Sequence, residues 1–280
     1  MCFYKKNISG FVIIVVYVDD LNIIETTKEI KEAREHLKKE FEMKDLGKTR
    51  FFLGLQIEYT KNGILVHQSN YTERVLKRFN MENANPLSTS MMGRTLNVEK
   101  DPFRPKEDNE RDLGYEVPYL SDIGALMYLA NYTRPDIAFT VNILARSSLC
   151  PIKRHWKEIK HIFRYIRGTY DLGLFYSNNT KPVLLGYADA WYLSDPHNAK
   201  SQIVFTYGGT AISWRSQKQT FVATSSNHAE VIALHEASKE CRWLSSVLRH
   251  IQGASGLTID KNPIILYEDD VVCVTKMKEG

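Results

Sequence analysis

The sequence predicts an α+β fold, and three features carry that prediction. Short β-branched runs that stop at Asp, Asn or Gly fill residues 11–67 and return at 183–214. Apolar residues at helical spacing fill the stretch between them, 119–167. An amphipathic pattern over 228–250 then adds one long helix to the second group of strands.

Taken in order, residues 11–24 read as strand, turn and strand around Tyr17-Val18-Asp19-Asp20. A helix over 28–41 follows, with Ala33, Leu37 and Phe41 on one face. Residues 51–59 and 64–67 flank Lys61-Asn62-Gly63, a hairpin signal, and Ser69 is placed to cap the next helix. Few large apolar side chains but many charges make 87–115 a surface loop or linker. Helices are expected over 119–132, 135–149 and 153–167, the last ending at Gly168 as a C-cap. Strands at 183–187, 203–207 and 210–214, the long helix, and a strand at 264–267 complete the pattern.

The composition limits what the protein does. The 280 residues suffice for two domains, and 43% hydrophobic with 25% charged content belongs to a globular chain. Cys2, Cys150, Cys241 and Cys273 form no C-x-x-C pair, which argues against a disulfide framework or structural zinc and for a reducing compartment. There is no signal peptide, and the apolar run 11–18 is too short to cross a bilayer, so an intracellular protein, cytoplasmic or nuclear, with no membrane partner is expected. A net charge of +4 does not by itself indicate nucleic acid.

Three residue sets carry candidate chemistry. Asp19 and Asp20 are adjacent carboxylates at a hairpin tip; they suit a hard divalent cation, although the pair alone fits an ordinary polar turn better. Lys153, Lys157, Lys160, Arg164 and Arg167 share one sector of a helix whose opposite sector holds Trp156, Ile159, Ile162, Phe163 and Ile166. Such a row tracks a phosphate backbone or is simply a solvated face. Asp189, Glu230 and Asp269 come from three separated segments. If the first and last strands of the second sheet lie parallel and adjacent, Asp189 and Asp269 meet, and the long helix brings Glu230 to them. His228 and His235 share that helix without an H-E-x-x-H pattern, so zinc is not expected there.

Together these residues resemble the Pol polyprotein of copia-type LTR retrotransposons. The motifs are Tyr17-Val18-Asp19-Asp20, Phe52-Leu53-Gly54-Leu55-Gln56-Ile57, Thr133-Arg134-Pro135-Asp136, Arg164-Tyr165-Ile166-Arg167-Gly168-Thr169, Gly186-Tyr187-Ala188-Asp189-Ala190, Ser225-Ser226-Asn227-His228-Ala229-Glu230 and Leu266-Tyr267-Glu268-Asp269. The resemblance implies a partial reverse-transcriptase palm over 1–90, a linker with helical thumb and connection over 91–175, and an RNase H-like mixed-sheet domain over 176–280. It also implies Mg²⁺ or Mn²⁺ as cofactor. Asp19 and Asp20 become palm carboxylates for nucleotide addition, and Asp189, Glu230 and Asp269 acids that cut the RNA strand of an RNA–DNA hybrid. The basic row then meets template–primer or hybrid phosphates, and other products of the element are further partners.

Departures from the family pattern temper these expectations. Sixteen residues precede Tyr17, which is expected to leave out an upstream palm acid, and the family continues past Asp269 to a last helix with a further active-site residue. Both domains are therefore expected to be incomplete, and polymerase activity to be absent. Glu25 stands at a usual glycine, Ile203-Val204-Phe205 looks about two residues short and liable to shift a register, and Asp270 replaces the common Asn. A non-catalytic nucleic-acid-binding remnant and a genomic relic without function stand as alternatives.

Overall fold

The computed structural model describes residues 2–7, 10–25, 29–92, 102–104, 106–114, 116–192, 199–258 and 262–279. Among these residues seven helices and three sheets make a mixed α and β fold. The expected 87–115 linker falls partly outside the described residues, and its described part holds no helix.

The first sheet has the order β1-β2-β3, with β1 (Cys2–Asn7), β2 (Gly10–Tyr17) and β3 (Asp20–Glu25) antiparallel. Helix α1 (Glu29–Glu40) packs on β2 and β3. It ends one residue before Phe41, which is 62% exposed rather than on the apolar face. Glu25 simply ends β3 opposite Val12, so a glycine-like conformation is not needed there.

The second sheet corrects the expected strand 51–59. Leu53 and Gly54 both take positive φ (52° and 79°), so the run folds on itself as β4 (Phe51–Phe52) and β5 (Leu55–Tyr59). The Lys61-Asn62-Gly63 hairpin forms as expected and leads into β6 (Gly63–His67). Beside β6 lies β7 (Gly173–Ser177), a strand that arrives about a hundred residues later and was not foreseen.

A helical body follows from α2 (Ser69–Arg78), α3 (Tyr119–Tyr132), α4 (Pro135–Ala145) and α5 (Lys153–Gly168). Its core contains Leu126, Leu129, Ile137, Ile159 and Ile162, each with no exposed surface. Ser69 is not a cap: Gln68 precedes the helix, and the Ser69 hydroxyl lies 2.7 Å from His67 Nδ1 instead. Gly168 is the last residue of α5, and Thr169, not a left-handed glycine, terminates it.

The third sheet has the order β10-β9-β8-β11. Strands β8 (Leu184–Trp191), β9 (Lys200–Tyr207) and β10 (Thr210–Lys218) are antiparallel neighbours, and β11 (Ile265–Tyr267) lies parallel to β8. The β8–β9 register runs unbroken through Ile203-Val204-Phe205. The irregularity falls instead in β10, between Ala211 and Ser213. Helix α6 (Ser226–Ser255) crosses one face, burying Ala188, Ile203, Phe205 and Ala237, and also packs on β1 and β2. A final helix, α7 (Val271–Glu279), was not anticipated.

Candidate carboxylate site and nucleic-acid interface

The strand-pleat alternation determines where each acid of the third sheet points. Along β8, Leu184, Gly186, Ala188 and Ala190 are buried towards α6, so Asp189 faces the other way, with Tyr187 and Trp191. In β11, Leu266 packs into the α6 core while Tyr267 stacks on Tyr187 on the far face. Continuing this alternation sends Glu268 towards α6 and Asp269 towards Asp189.

The acids gather at the ends of two parallel strands and the start of α6. Burial comes first in holding the Asp189 carboxyl above its ordinary range, and the charge of Asp269 adds to it. Glu230, 8% exposed one turn into α6, is pushed up to about 8, first by burial and then by the neighbouring charges of Glu268 and Asp189. Glu268 is raised as well, again mainly by burial. Its role was not recognised from sequence, although the acids at 268, 269 and 270 alternate along one strand end and should point to opposite faces.

Neighbouring groups hold these acids in place. Gln202 Nε2, directly opposite in β9, lies 3.5 Å from Asp189 Oδ2. Asp270 does not join the set: its Oδ1 accepts from Cys273 N (2.7 Å) and caps α7, and it accepts from Asn227 Nδ2 (3.3 Å). The helix start that carries Glu230 is capped by Ser225, whose Oγ accepts from His228 N at 3.1 Å.

The donor set suits a hard divalent cation, because it consists of carboxylate oxygens and Glu230 Oε2 is buried with no partner. Among the described residues, no group of three or more His, Cys, Asp or Glu is arranged to hold an ion as it stands.

At the first hairpin, Val18 and Asp19 form a two-residue turn, and Tyr17 pairs with Asp20. Val18 has φ 51°, a conformation that a β-branched residue adopts only under strain. Asp19 and Asp20 are exposed and line a cavity of about 800 Å³, together with Arg34, Lys38, Lys48 and Arg50. Facing them, Asp45 pairs with Lys38 (3.3 Å) and Arg34 (3.5 Å).

The basic row on α5 is split. Lys153, Lys157 and Lys160 are exposed. Arg164 Nε donates to Asn85 O (2.8 Å) and Arg167 Nε to Glu82 O (2.6 Å), strapping the 82–87 segment along the helix. The Thr133-Arg134-Pro135-Asp136 motif is structural. Arg134, 2% exposed, forks onto Asp136 and donates to Thr169 O (2.9 Å), locking the start of α4 to the end of α5.

Residues 1–93 match the family model described as "Reverse transcriptase (RNA-dependent DNA polymerase)". The chain is 41% identical over 257 residues to the Retrovirus-related Pol polyprotein from transposon TNT 1-94 of Nicotiana tabacum, covering 89% of this chain and 19% of that protein. It is 31% identical over 266 residues to the Pol polyprotein from transposon RE2 of Arabidopsis thaliana, covering 94% and 17%. Secreted RxLR effector protein 161 of Plasmopara viticola is 40% identical over 139 residues, covering 49% of this chain and 98% of that protein. The chain therefore spans about a fifth of the length of the Pol polyproteins it matches. No solved structure matches it.

Proposed function

Because this chain belongs to the Pol polyproteins of copia-type LTR retrotransposons, with reverse-transcriptase family sequence at 1–93, we propose that its third sheet is an RNase H-like unit that hydrolyses the RNA strand of an RNA–DNA hybrid. The observation that supports this most is the meeting of Asp189, Glu230 and Asp269 at the ends of parallel β8 and β11 and the start of α6. In this reading residues 1–90 are palm, 91–175 linker and thumb or connection, and 176–280 the hydrolytic unit.

Asp189, Glu230 and Asp269 would hold a divalent cation, Mg²⁺ or Mn²⁺. When bound, it supplies positive charge against the negative charge that develops on the phosphoryl oxygens. The chain's own contribution is preorganisation. Asp189 and Asp269 are presented by paired strands, and Glu230 by a capped helix. Burial first, and then the charges of Glu268 and Asp189, keep a proton on Glu230 near neutral pH, so cation binding releases a proton from Glu230. Asp19 and Asp20 are assigned as the palm carboxylates that serve nucleotide addition in the parent family, supported by the strained turn that carries them, while polymerase activity is not proposed for this chain.

A second reading, nucleic-acid binding without catalysis, is favoured by one observation: three exposed lysines on one face of α5. The test is hybrid cleavage with Mg²⁺. RNA-strand cutting that disappears in Asp189→Asn supports hydrolysis. Salt-dependent hybrid binding without cutting leaves the binding reading.

A further inference from the structure

We propose that Phe139, on α4, is a positioning residue of the carboxylate site, acting through Trp191 to fix the end of β8 on which Asp189 stands. The inference rests on the hydrolytic reading above and assigns that site a part of the helical body.

The Asp189 carboxyl accepts from the Ala190 amide of its own strand and, at 3.5 Å, from Gln202 of β9. Its position depends on the strand end. Two residues on and on the same face, Trp191 stacks on Phe139 with centroids 4.9 Å apart and planes 6° from parallel. Lys200, opposite Trp191 in β9, closes this cluster with Nζ 5.0 Å from the Phe139 ring and 5.9 Å from Trp191.

A second tryptophan makes the attachment a two-point one. Trp214 pairs with Val204, which pairs with Tyr187, so the register puts Trp214 on the face of Asp189 as well. Its Nε1 donates to Ala130 O at 2.7 Å. That carbonyl belongs to the last turn of α3, where no helical amide remains to meet it. Trp214 also packs against the core of the helical body.

The helical body thus covers the Asp189 face over β9, β10 and the tip of β8. Among the described residues the side towards β11 stays open, with Tyr187 and Tyr267 42% and 47% exposed. One wall of the site is therefore α4, and a duplex reaches the acids from the β11 side. Trp214 anchors the sheet as a whole, whereas Phe139 anchors the strand end that carries Asp189.

Amide exchange and cation binding in the full chain test this. In Phe139→Ala and the volume-keeping Phe139→Leu, exchange at 189–191 rises about tenfold while 184–186 stays unchanged, and Tb³⁺ binding, read by tryptophan-sensitised luminescence, weakens about tenfold. Phe139→Tyr, which keeps the stack, holds both at the wild-type level. Exchange that rises uniformly across the sheet, or wild-type exchange and Tb³⁺ affinity in Phe139→Leu, overturns the proposal. If the wild-type chain binds no Tb³⁺, the cation reading fails by itself and Phe139 is judged on exchange alone.

Discussion

Tyr187 and Tyr267 are direct partners in the parallel ladder between β8 and β11, their rings stacked 5.2 Å apart. Each stands two residues before an acid, Asp189 and Asp269. This stack fixes the register that brings two carboxylates from opposite ends of an eighty-residue segment to one strand edge. The Asp269 charge adds to the burial that holds the Asp189 carboxyl above its ordinary range, and a bound cation reverses that cost.

The first prediction concerns pH. The Glu230 carboxyl rises in the fold from an ordinary 4.5 to about 8, so the folded chain holds a proton that the unfolded chain releases. Its contribution to stability is full below about pH 4.5 and is lost as pH rises towards 8. Buried Asp122, raised to about 7 by burial, acts in the same direction. Thermal unfolding without divalent ions should show a Tm that falls across this window. Glu230→Gln should flatten the fall in part, and Mg²⁺ should raise the Tm most at the alkaline end.

The helical lock makes a second prediction. Arg134→Ala removes a buried fork and leaves Asp136 and Thr169 without it, at a cost of about 3 kcal/mol in urea unfolding. Arg134→Lys should recover little, because an ammonium cannot make both bonds.

The strained hairpin gives a third. Val18→Gly relieves the positive φ and should stabilise the first sheet by about 1 kcal/mol, read as a higher urea midpoint.

Part of this was legible in sequence because it is local. The Asp19–Asp20 hairpin and the α5 core face of Ile159, Ile162 and Phe163 follow from short-range pattern, whereas the parallel pairing of the strands before Asp189 and Asp269 stood only as a condition, which the fold meets. What was not legible depends on partners far away in the chain. Strand β7 exists as a partner of β6, and Phe51–Tyr59 breaks at Leu53 and Gly54, where Tyr128 donates to Leu53 O. At the site, the missed acid was Glu268, hidden because only the α6 packing gives its side of the strand a meaning.

The split basic row makes a fourth prediction. Arg164 and Arg167 each give one Nε hydrogen bond to a backbone carbonyl and keep their charge, so the row offers five cations to phosphates. The slope of log affinity for hybrid against log salt should be about −4.5. Lys157→Ala with Lys160→Ala should bring it to about −2.7.

The most direct measurement is cleavage of end-labelled RNA annealed to DNA, with the same RNA in an all-RNA duplex as control, in Mg²⁺ or Mn²⁺. The account predicts cutting of the hybrid alone, reduced at least about 100-fold in both Asp189→Asn and Glu230→Gln. An uncut hybrid, or cutting that both variants retain in full, contradicts it.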